Sequence, residues 1–201
     1  MPDFFDVVHR QRACRNFTTE EIDDDALAQV LDAATFAPSA ENSQPWVFVV
    51  VKDEATRTRI AELTRQVWQG GARAYEEKHL DARILADVDT GVAAGFARAP
   101  VVAVVCGDRE QAFESTLPSS VYPATQNLLL AATALGLGSA LTTLATAMAK
   151  ELSATLQLPE SVKPMAVVFL GWPAKKLGPP KRVSYREKTH LDRFGEPLWR
   201  S

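Results

Sequence analysis

The sequence contains few cysteine and histidine residues, and this scarcity excludes two kinds of protein. Only Cys14 and Cys106 occur among the 201 residues, too few for a disulfide framework or a cysteine-rich zinc site. The three histidines, His9, His79 and His190, lie far apart and lack the short spacing of metal ligands. We therefore expect reduced thiols and no bound metal.

The sequence also lacks long apolar runs and an excess of charge of one sign. No stretch approaches the roughly 18 apolar residues of a membrane span, and the first residues do not have the pattern of a signal peptide. With 22 basic and 25 acidic residues, the net charge of −3 argues against a nucleic-acid binder. The hydrophobic share of 46% is ordinary for a globular protein, so we expect a single cytoplasmic domain over residues 1–201.

Several common catalytic motifs are absent as well. There is no G-x-S-x-G elbow and no Walker phosphate loop. The G-x-G fragment at Gly136–Gly138 follows a predicted helix, whereas a dinucleotide-binding loop follows a strand. Cys14 lies between Arg12 and Arg15, which favour a thiolate, but no base stands near it in sequence. The favoured interpretation is an inert cysteine.

Hydrophobic periodicity predicts helices that alternate with strands. Apolar residues at helical spacing predict helices around residues 4–8, 27–34, 60–67, 126–135 and 147–156. Continuous apolar runs predict buried strands at residues 46–51, 101–106 and 165–172, with a shorter strand at 140–144. This alternation indicates an α/β or α+β protein whose sheet is covered on both faces.

Two segments are less regular. The stretch Gly70–Gly95 is polar, with helical pieces and weak caps, and is predicted to be mobile or peripheral. The residues from Trp172 onward include several prolines and aromatic residues and show little hydrophobic periodicity. These aromatic side chains need a surface to cover. A partner subunit and the tail's own domain are equally good candidates on these grounds.

Three polar clusters remain. The loop His9–Arg15 crowds several guanidinium groups and suits an anion such as phosphate, although a solvated basic loop is the simpler interpretation. The stretch Pro38–Trp46 offers amides and hydroxyls that can hydrogen-bond a flat polar ring, or it is a plain turn. The pair Lys181-Arg182 is either a second basic contact for the same anion or a solubilising pair.

The order of these pieces resembles the nitroreductase family of FMN-dependent flavoenzymes. The resemblance rests on R-A-C-R-x-F at 12–17, A-P-S-x-x-N-S-Q-P-W at 37–46, Q-N-L-L-L-A-A-x-A-L-G-L-G-S at 126–139, G-x-P-A at 171–174 and the basic tail. It covers nearly the whole chain, least clearly residues 66–97. It implies an α+β fold with a central mixed sheet flanked by helices. It also implies an intertwined homodimer with a tightly bound FMN at each of two interface sites, and a C-terminal arm, residues 172–201, that crosses to the partner subunit.

The resemblance further implies three sets of cofactor contacts. The FMN phosphate and ribityl end would be held by Gln11, Arg12, Ala13 and Arg15, with Lys181 and Arg182. The flavin would be met from the second subunit by Pro38, Ser39, Ala40 and Asn42. The isoalloxazine would lie along Leu141, Thr142 and Thr143. Many members have arginine and serine where Gln11 and Ala13 stand, and an acidic residue and glycine where Thr143 and Leu144 stand.

The activity that the resemblance implies is transfer of a hydride from NAD(P)H to FMN and then to a small organic acceptor, such as a nitroaromatic compound or a quinone. FMN would carry the chemistry, so no side chain is assigned as catalytic. A ping-pong mechanism is expected. Reductive dehalogenation, a flavin-consuming reaction and flavin binding without turnover are the alternatives.

Overall fold

The computed structural model describes residues 2–199, and Met1, Arg200 and Ser201, at the ends of the predicted domain, lie outside the described residues. The helices are α1 (Phe4–Arg10), α2 (Asp24–Thr35), α3 (Glu54–Val67), α4 (Arg73–Glu76), α5 (Ala82–Thr90), α6 (Leu117–Ala134) and α7 (Ala149–Leu156). The strands are β1 (Trp46–Val51), β2 (Val101–Asp108), β3 (Gly138–Thr142) and β4 (Val162–Gly171). The predicted α+β class is confirmed. Within residues 2–199, no helix is both long and apolar enough to cross a membrane.

The four strands form one sheet in the order β1-β2-β4-β3. Each neighbouring pair is antiparallel, so the expectation of a mixed sheet is wrong for these strands. The chain leaves β1 and enters β2 at the same end of the sheet, because Val51 lies opposite Val102. The helical segment between the two strands therefore starts and finishes at that end. A parallel contact does occur outside the strands, as an isolated bridge between Ala13 and Ser139.

Both faces of the sheet are covered, which explains the continuous apolar runs of β2 and β4. Side chains alternate between faces along a strand. Val102, Val104 and Cys106 pack with residues of α3, α5 and α7, whereas Val101 and Ala103 pack with residues of α2 and α6. Strand β1 differs from the prediction of a buried strand. It lies at an edge, and Val51 is its only buried residue.

Helix α2 shows how the local sequence sets its ends. The Asp23 side chain accepts a hydrogen bond from the amide of Ala26 at 2.7 Å and caps the first turn. Leu27, Val30 and Ala34 are buried along one face, and the helix ends before Pro38. The predicted helix is therefore confirmed.

Helix α6 begins nine residues before the predicted start at Gln126. Its first turn contains Pro118, which a helix tolerates there because the missing amide needs no partner. Pro123 lies inside the helix, where buried Leu117, Val121 and Leu128 pack against the core on either side of it. Because of these two prolines, sequence analysis did not predict the first turns of α6.

The predicted polar segment Gly70–Gly95 is largely helical, and its inner face belongs to the core. A π-helical turn at Trp68–Ala72 continues α3, and a second one at Gly91–Gly95 continues α5. Trp68 and Val92 are buried in the cluster that covers one face of the sheet. The expectation of a peripheral segment is thus wrong for this inner face, because its sparse apolar residues are spaced to meet the sheet.

The turn between α6 and β3 uses two glycines differently. Gly136 has a φ of +84° and ends the helix as predicted. Gly138 already belongs to β3, which starts two residues before the predicted strand. A Cβ on Gly138 would lie 2.8 Å from the Cβ and Sγ atoms of Cys14, so glycine permits the N-terminal loop to approach the strand.

Candidate functional site

The N-terminal basic loop docks on the edge strand β3. The Cys14 amide donates a hydrogen bond to the Ser139 carbonyl oxygen at 2.7 Å, next to the bridge between Ala13 and Ser139. This contact places the loop residues Gln11 to Arg15 beside the strand that carries Leu141 and Thr142. The structure therefore brings the loop residues of the first predicted set beside the third set.

Arg12 turns from this loop toward the C-terminal tail. Its Nη1 donates to the Gly178 carbonyl oxygen at 3.1 Å. Its Nε atom is buried and has no hydrogen-bond partner among the described residues. Lys181 and Arg182 follow Gly178 closely in sequence but are exposed, and Arg182 donates to the Lys181 carbonyl oxygen at 3.0 Å. The tail brings these cations to the neighbourhood of Arg12 without a direct contact to its side chain.

Arg15 turns in the other direction, toward α5. Its Nη1 lies 2.7 Å from Oδ2 of Asp87, and the two side chains are 22% and 42% exposed. Arg15 also lines a cavity of about 590 Å³, together with the stretch 141–144 after the start of β3. That volume lies within the roughly 300–1,000 Å³ that is typical of small-molecule sites.

The opposite wall of this cavity comes from the segment that sequence analysis described least well. It is lined there by Trp68, Gly71, Ala72, Tyr75, Glu76, Leu80, Ile84 and Val88. Tyr75 stacks on His79 with ring centroids 4.4 Å apart. The cavity thus combines apolar and aromatic residues with Arg15 and residues of β3, a lining that suits a flat ring with a polar edge.

An ionic clamp joins the two helical halves of this wall. Asp89 on α5 accepts hydrogen bonds from Trp68 Nε1 at 2.8 Å and from Arg73 Nε at 3.0 Å. A further hydrogen bond of 3.0 Å from Arg73 Nη2 makes the arginine contact bidentate. These hydrogen bonds, those from Arg73 first, lower the pKa of the Asp89 carboxyl below its usual value of 3.8.

The second predicted set, Pro38, Ser39, Ala40 and Asn42, lies before β1 at the other edge of the sheet. Three inter-strand steps, about 14 Å in total, separate β1 from β3. Within one chain these residues therefore do not join the cavity beside Arg15. Glu41, Asn42 and Gln44 have positive φ values near 50°, a conformation that non-glycine residues adopt at some cost.

This strained loop is held by side-chain hydroxyls. The Ser39 hydroxyl accepts a hydrogen bond from the Gln44 amide at 3.0 Å, and the Ser120 hydroxyl accepts one from the Ala40 amide at 3.2 Å. Ala40, Glu41 and Ser43 line a second cavity of about 470 Å³. The loop is thus an ordered surface feature at the edge opposite Arg15.

Neither cysteine is suited to nucleophilic chemistry. Burial raises the pKa of the Cys14 thiol, and it raises the pKa of Cys106 to about 12. Because the thiolate is the reactive form, both groups are unreactive at neutral pH. Among the described residues, no group of three or more histidine, cysteine and acidic side chains is arranged to hold a metal ion.

Sequence analysis missed Asp87, Trp68, Tyr75 and Ser139 as residues of the site. Asp87 stands 72 residues from Arg15, and no local pattern connects the two. Ser139 is 2% exposed, and its hydroxyl has no hydrogen-bond partner among residues 2–199. The sequence contains only a weak pattern that could have pointed to Asp87. An aspartate and two glycines four residues apart recur along α5 and its continuation, at Asp87, Gly91 and Gly95.

Comparison with known proteins supports the resemblance described above. The family model described as "Nitroreductase family" matches residues 8–172. A protein of Methanothermobacter thermautotrophicus named "Putative NADH dehydrogenase/NAD(P)H nitroreductase" is 26% identical over 96% of this chain and 88% of its own length. The 5,6-dimethylbenzimidazole synthase of Rhodospirillum rubrum is 33% identical over 83% of this chain and 80% of its own length.

A solved structure agrees with the sequence relatives. The nitroreductase with bound FMN from Desulfitobacterium hafniense superposes with a TM-score of 0.74 at 26% identity, covering 96% of this chain and all of the other. The family match spans most of the chain and includes the basic loop, the sheet and the wall of the cavity. The chain belongs to the nitroreductase family.

Proposed function

We propose that this protein is an FMN-dependent oxidoreductase that takes a hydride from NAD(P)H and reduces a small organic acceptor, such as a nitroaromatic compound or a quinone. The observation that carries the proposal is the cavity between Arg15, the end of β3 and the aromatic wall. Family membership and the FMN bound by a structural relative support the choice of cofactor. The names of relatives support the choice of NAD(P)H.

The residues present fit such a cofactor. Arg12 Nε and the Ser139 hydroxyl are buried polar groups that lack protein partners, and a ligand with oxygen acceptors would satisfy them. The cavity has an apolar wall for a flat ring and a guanidinium group at one side. One loop therefore carries one cationic group at the cavity and a second one beside the tail, which matches a ligand with a polar ring and a charged tail.

The two arginines contact different parts of the structure, so we assign them to different parts of the cofactor. Arg12 contacts the tail that carries Lys181 and Arg182, so we assign these three cations to the phosphate. Arg15 shares the cavity with Leu141, Thr142 and Thr143, so we assign it to the ring. Gln11 and Ala13 flank Arg12 in the same loop, and we assign them to the ribityl chain.

The loop Pro38–Asn42 requires a second subunit to reach the same flavin. It precedes β1, which is separated from β3 by three inter-strand steps, about 14 Å, across the sheet of its own chain. We propose a cytoplasmic homodimer in which Pro38, Ser39, Ala40 and Asn42 complete the partner's site, and in which the tail from Trp172 lies on the partner. The exposed aromatic residues of the tail and the ordered loop support this arrangement.

FMN, when bound, supplies the redox chemistry by accepting a hydride and passing it on. The protein's own residues bind and orient this group, shield it with the aromatic wall and place positive charge near it. A nicotinamide and an acceptor that use one cavity in turn give parallel double-reciprocal plots. Intersecting plots would contradict the ping-pong mechanism.

The decisive experiment is the visible absorption spectrum of the purified protein, followed by identification of the released chromophore. FMN at about one per chain, bleached anaerobically by NADH or NADPH and restored by an acceptor, is the expected result. A colourless protein that takes up no added FMN would overturn the proposal. FMN that NAD(P)H does not reduce would indicate flavin binding without this activity.

A flavin-consuming reaction is the second candidate, because the relative with 33% identity over most of the chain is a 5,6-dimethylbenzimidazole synthase. The dimethyl-substituted benzene ring in that product is also part of the flavin. Incubation of the protein with reduced FMN and oxygen, without another acceptor, separates the two reactions. Loss of flavin with formation of the benzimidazole supports the second candidate, and recovery of intact FMN excludes it.

A further inference from the structure

One face of α5 and its continuation contacts Arg15 at three successive helical positions. Asp87 pairs with the guanidinium group at 2.7 Å. A Cβ atom on Gly91 would lie 2.7 Å from the Arg15 Cβ, and one on Gly95 would lie 1.9 Å from the Arg15 carbonyl oxygen. Residues four apart share a helix face. The head, the stem and the backbone of Arg15 therefore all rest on this one face.

The two glycines serve this close approach and no special backbone conformation. Neither Gly91 nor Gly95 has a positive φ. A methyl group at Gly95 would overlap the carbonyl oxygen of Arg15, and one at Gly91 would lie 2.7 Å from its Cβ atom. Because the backbone fixes the position of a Cβ atom, either methyl group would force Arg15 itself to move. The contact thus fixes both the position and the direction of the Arg15 side chain.

The pair also sets the net charge at the cavity. The Arg15 side chain is 22% exposed, so solvent screens its charge less than that of a surface arginine. Asp87 offsets this positive charge at hydrogen-bonding distance. Reduction of FMN by two electrons with uptake of one proton yields an anionic product, which a positive charge stabilises.

We propose that Asp87 is a positioning residue that sets the reduction potential of the bound cofactor through Arg15, with Gly91 and Gly95 holding the arginine in place. This inference rests on the proposed FMN site. The carboxylate of Asp87 partly neutralises the charge of Arg15 beside the flavin. The reduction potential of FMN is therefore lower than it would be if Arg15 had no acidic partner. It also holds Arg15 ready before the cofactor binds, which reduces the ordering cost of binding.

The test is the midpoint potential of FMN bound to the Asp87→Asn variant, measured anaerobically against reference dyes at saturating FMN. The substitution keeps the shape of the side chain and removes its charge. We expect the ratio of affinities for reduced and oxidised FMN to rise about tenfold, which is a positive shift of about 30 mV for a two-electron couple. Asp87→Glu, which retains the charge, is expected to restore the wild-type potential.

Asp81→Asn is the matched control, because Asp81 caps the same helix by accepting a hydrogen bond from the Arg83 amide at 2.9 Å. It removes an equal charge from the same helix without contacting Arg15, and asparagine can still cap the helix. An unchanged potential in Asp87→Asn, or an equal shift in Asp81→Asn, would overturn the inference while leaving the FMN site intact. Wild-type protein that binds no FMN would instead overturn the proposed function and this inference with it.

A second variant tests the glycine face independently of charge. Gly91→Ala is expected to weaken FMN binding several-fold because Arg15 must shift, when binding is measured at a temperature where the variant without cofactor is still folded. Gly70→Ala is the control, since a Cβ there meets nothing within 4 Å. Equal FMN dissociation constants for Gly91→Ala and wild type would show that the glycines do not hold Arg15 in place for FMN binding.

Discussion

At the scale of single residues, two arginines of one loop end in different environments. Arg12 contacts the tail at Gly178, whereas Arg15 pairs with Asp87 on α5 and lines the cavity. The docking of Cys14 on Ser139 fixes the backbone between them, so the two side chains leave the loop in different directions. This local arrangement creates two cationic points from one short basic motif.

The first prediction concerns Arg15. Arg15→Ala is expected to weaken FMN binding by about 1.5–3 kcal/mol, the usual contribution of a hydrogen bond to a charged group. That loss corresponds to a dissociation constant roughly 10 to 150 times higher. Fluorescence titration of FMN into the protein without cofactor measures it. Arg83→Ala, which removes an exposed arginine from α5, is the control, and an equal loss in both variants contradicts a specific role.

The second prediction concerns Gln157, which ends α7 in the left-handed conformation with a φ of 52°. Gln157→Gly is expected to stabilise the protein by up to about 1 kcal/mol, because glycine adopts this conformation without steric cost. The same substitution at exposed Gln29, inside α2, is expected to destabilise by about 1 kcal/mol. Urea unfolding measures both. Destabilisation at both positions would show that the strain at Gln157 is offset by contacts of its side chain.

At the scale of elements, the helical segment from Trp68 to Gly95 does two things. Its inner face completes the core over the sheet, and its outer face forms one wall of the cavity. The clamp of Trp68, Arg73 and Asp89 ties its two halves together. A shared element of this kind couples the shape of the site to the stability of the fold.

The third prediction concerns pH and this clamp. Asp89 has a lowered pKa in the folded state, so its contribution to stability is complete above its unfolded pKa and disappears as the pH falls through its folded pKa. Asp89→Asn is therefore expected to lower the melting temperature at pH 7 by about 2–4 °C, the change that about 1 kcal/mol causes in a domain of this size.

The difference between wild type and Asp89→Asn is expected to shrink as the pH drops below 3.8, because the unfolded chain then takes up the proton before the folded one does. It is expected to disappear once the pH is below the lowered pKa of the folded state. Calorimetry between pH 7 and pH 3 provides the comparison. Arg73→Gln serves as the partner variant, and the double variant is expected to be no less stable than the less stable of the two single variants. A constant difference at all pH values would show that the carboxylate charge has no part in the clamp.

At the scale of the whole molecule, the tail is the segment with the least support from its own chain. It is anchored as far as Gly178, through hydrogen bonds that include Ala174 to Asn16 at 3.0 Å. Tyr185 then packs against Trp199 with ring centroids 5.2 Å apart, and Phe194 is 92% exposed. Such exposed aromatic residues favour a surface on another molecule.

The fourth prediction tests the proposed homodimer. Phe194→Ala is expected to raise the dimer dissociation constant at least tenfold, since burial of an aromatic side chain contributes about 1.5–3 kcal/mol. Sedimentation equilibrium measures this constant. Unfolding of the dilute monomer is expected to be unchanged, because the ring is exposed there. A monomeric wild type, or an unaltered dissociation constant, would instead favour a tail that belongs to its own chain.

Much of the fold could be predicted because it depends on local pattern. Apolar periodicity and the caps at Asp23 and Gly136 identified α2, the end of α6 and the apolar strands. The prolines of α6 and the sparse apolar residues of the Gly70–Gly95 segment were misleading, since their helical state depends on packing against the sheet. In the site, the docking of the basic loop on β3 was not predicted, because it depends on a contact between Cys14 and Ser139, which are far apart in sequence.

The sequence by itself determined most of the elements, the family and the residue types available to the site, because these are recorded in short patterns along the chain. Only the tertiary structure decided the antiparallel strand order, the pairing of Arg15 with Asp87 and the placement of the Pro38–Asn42 loop at the far sheet edge. These features depend on contacts between residues many positions apart. Such contacts arise when packing of both sheet faces brings distant segments together, and they leave no local signal.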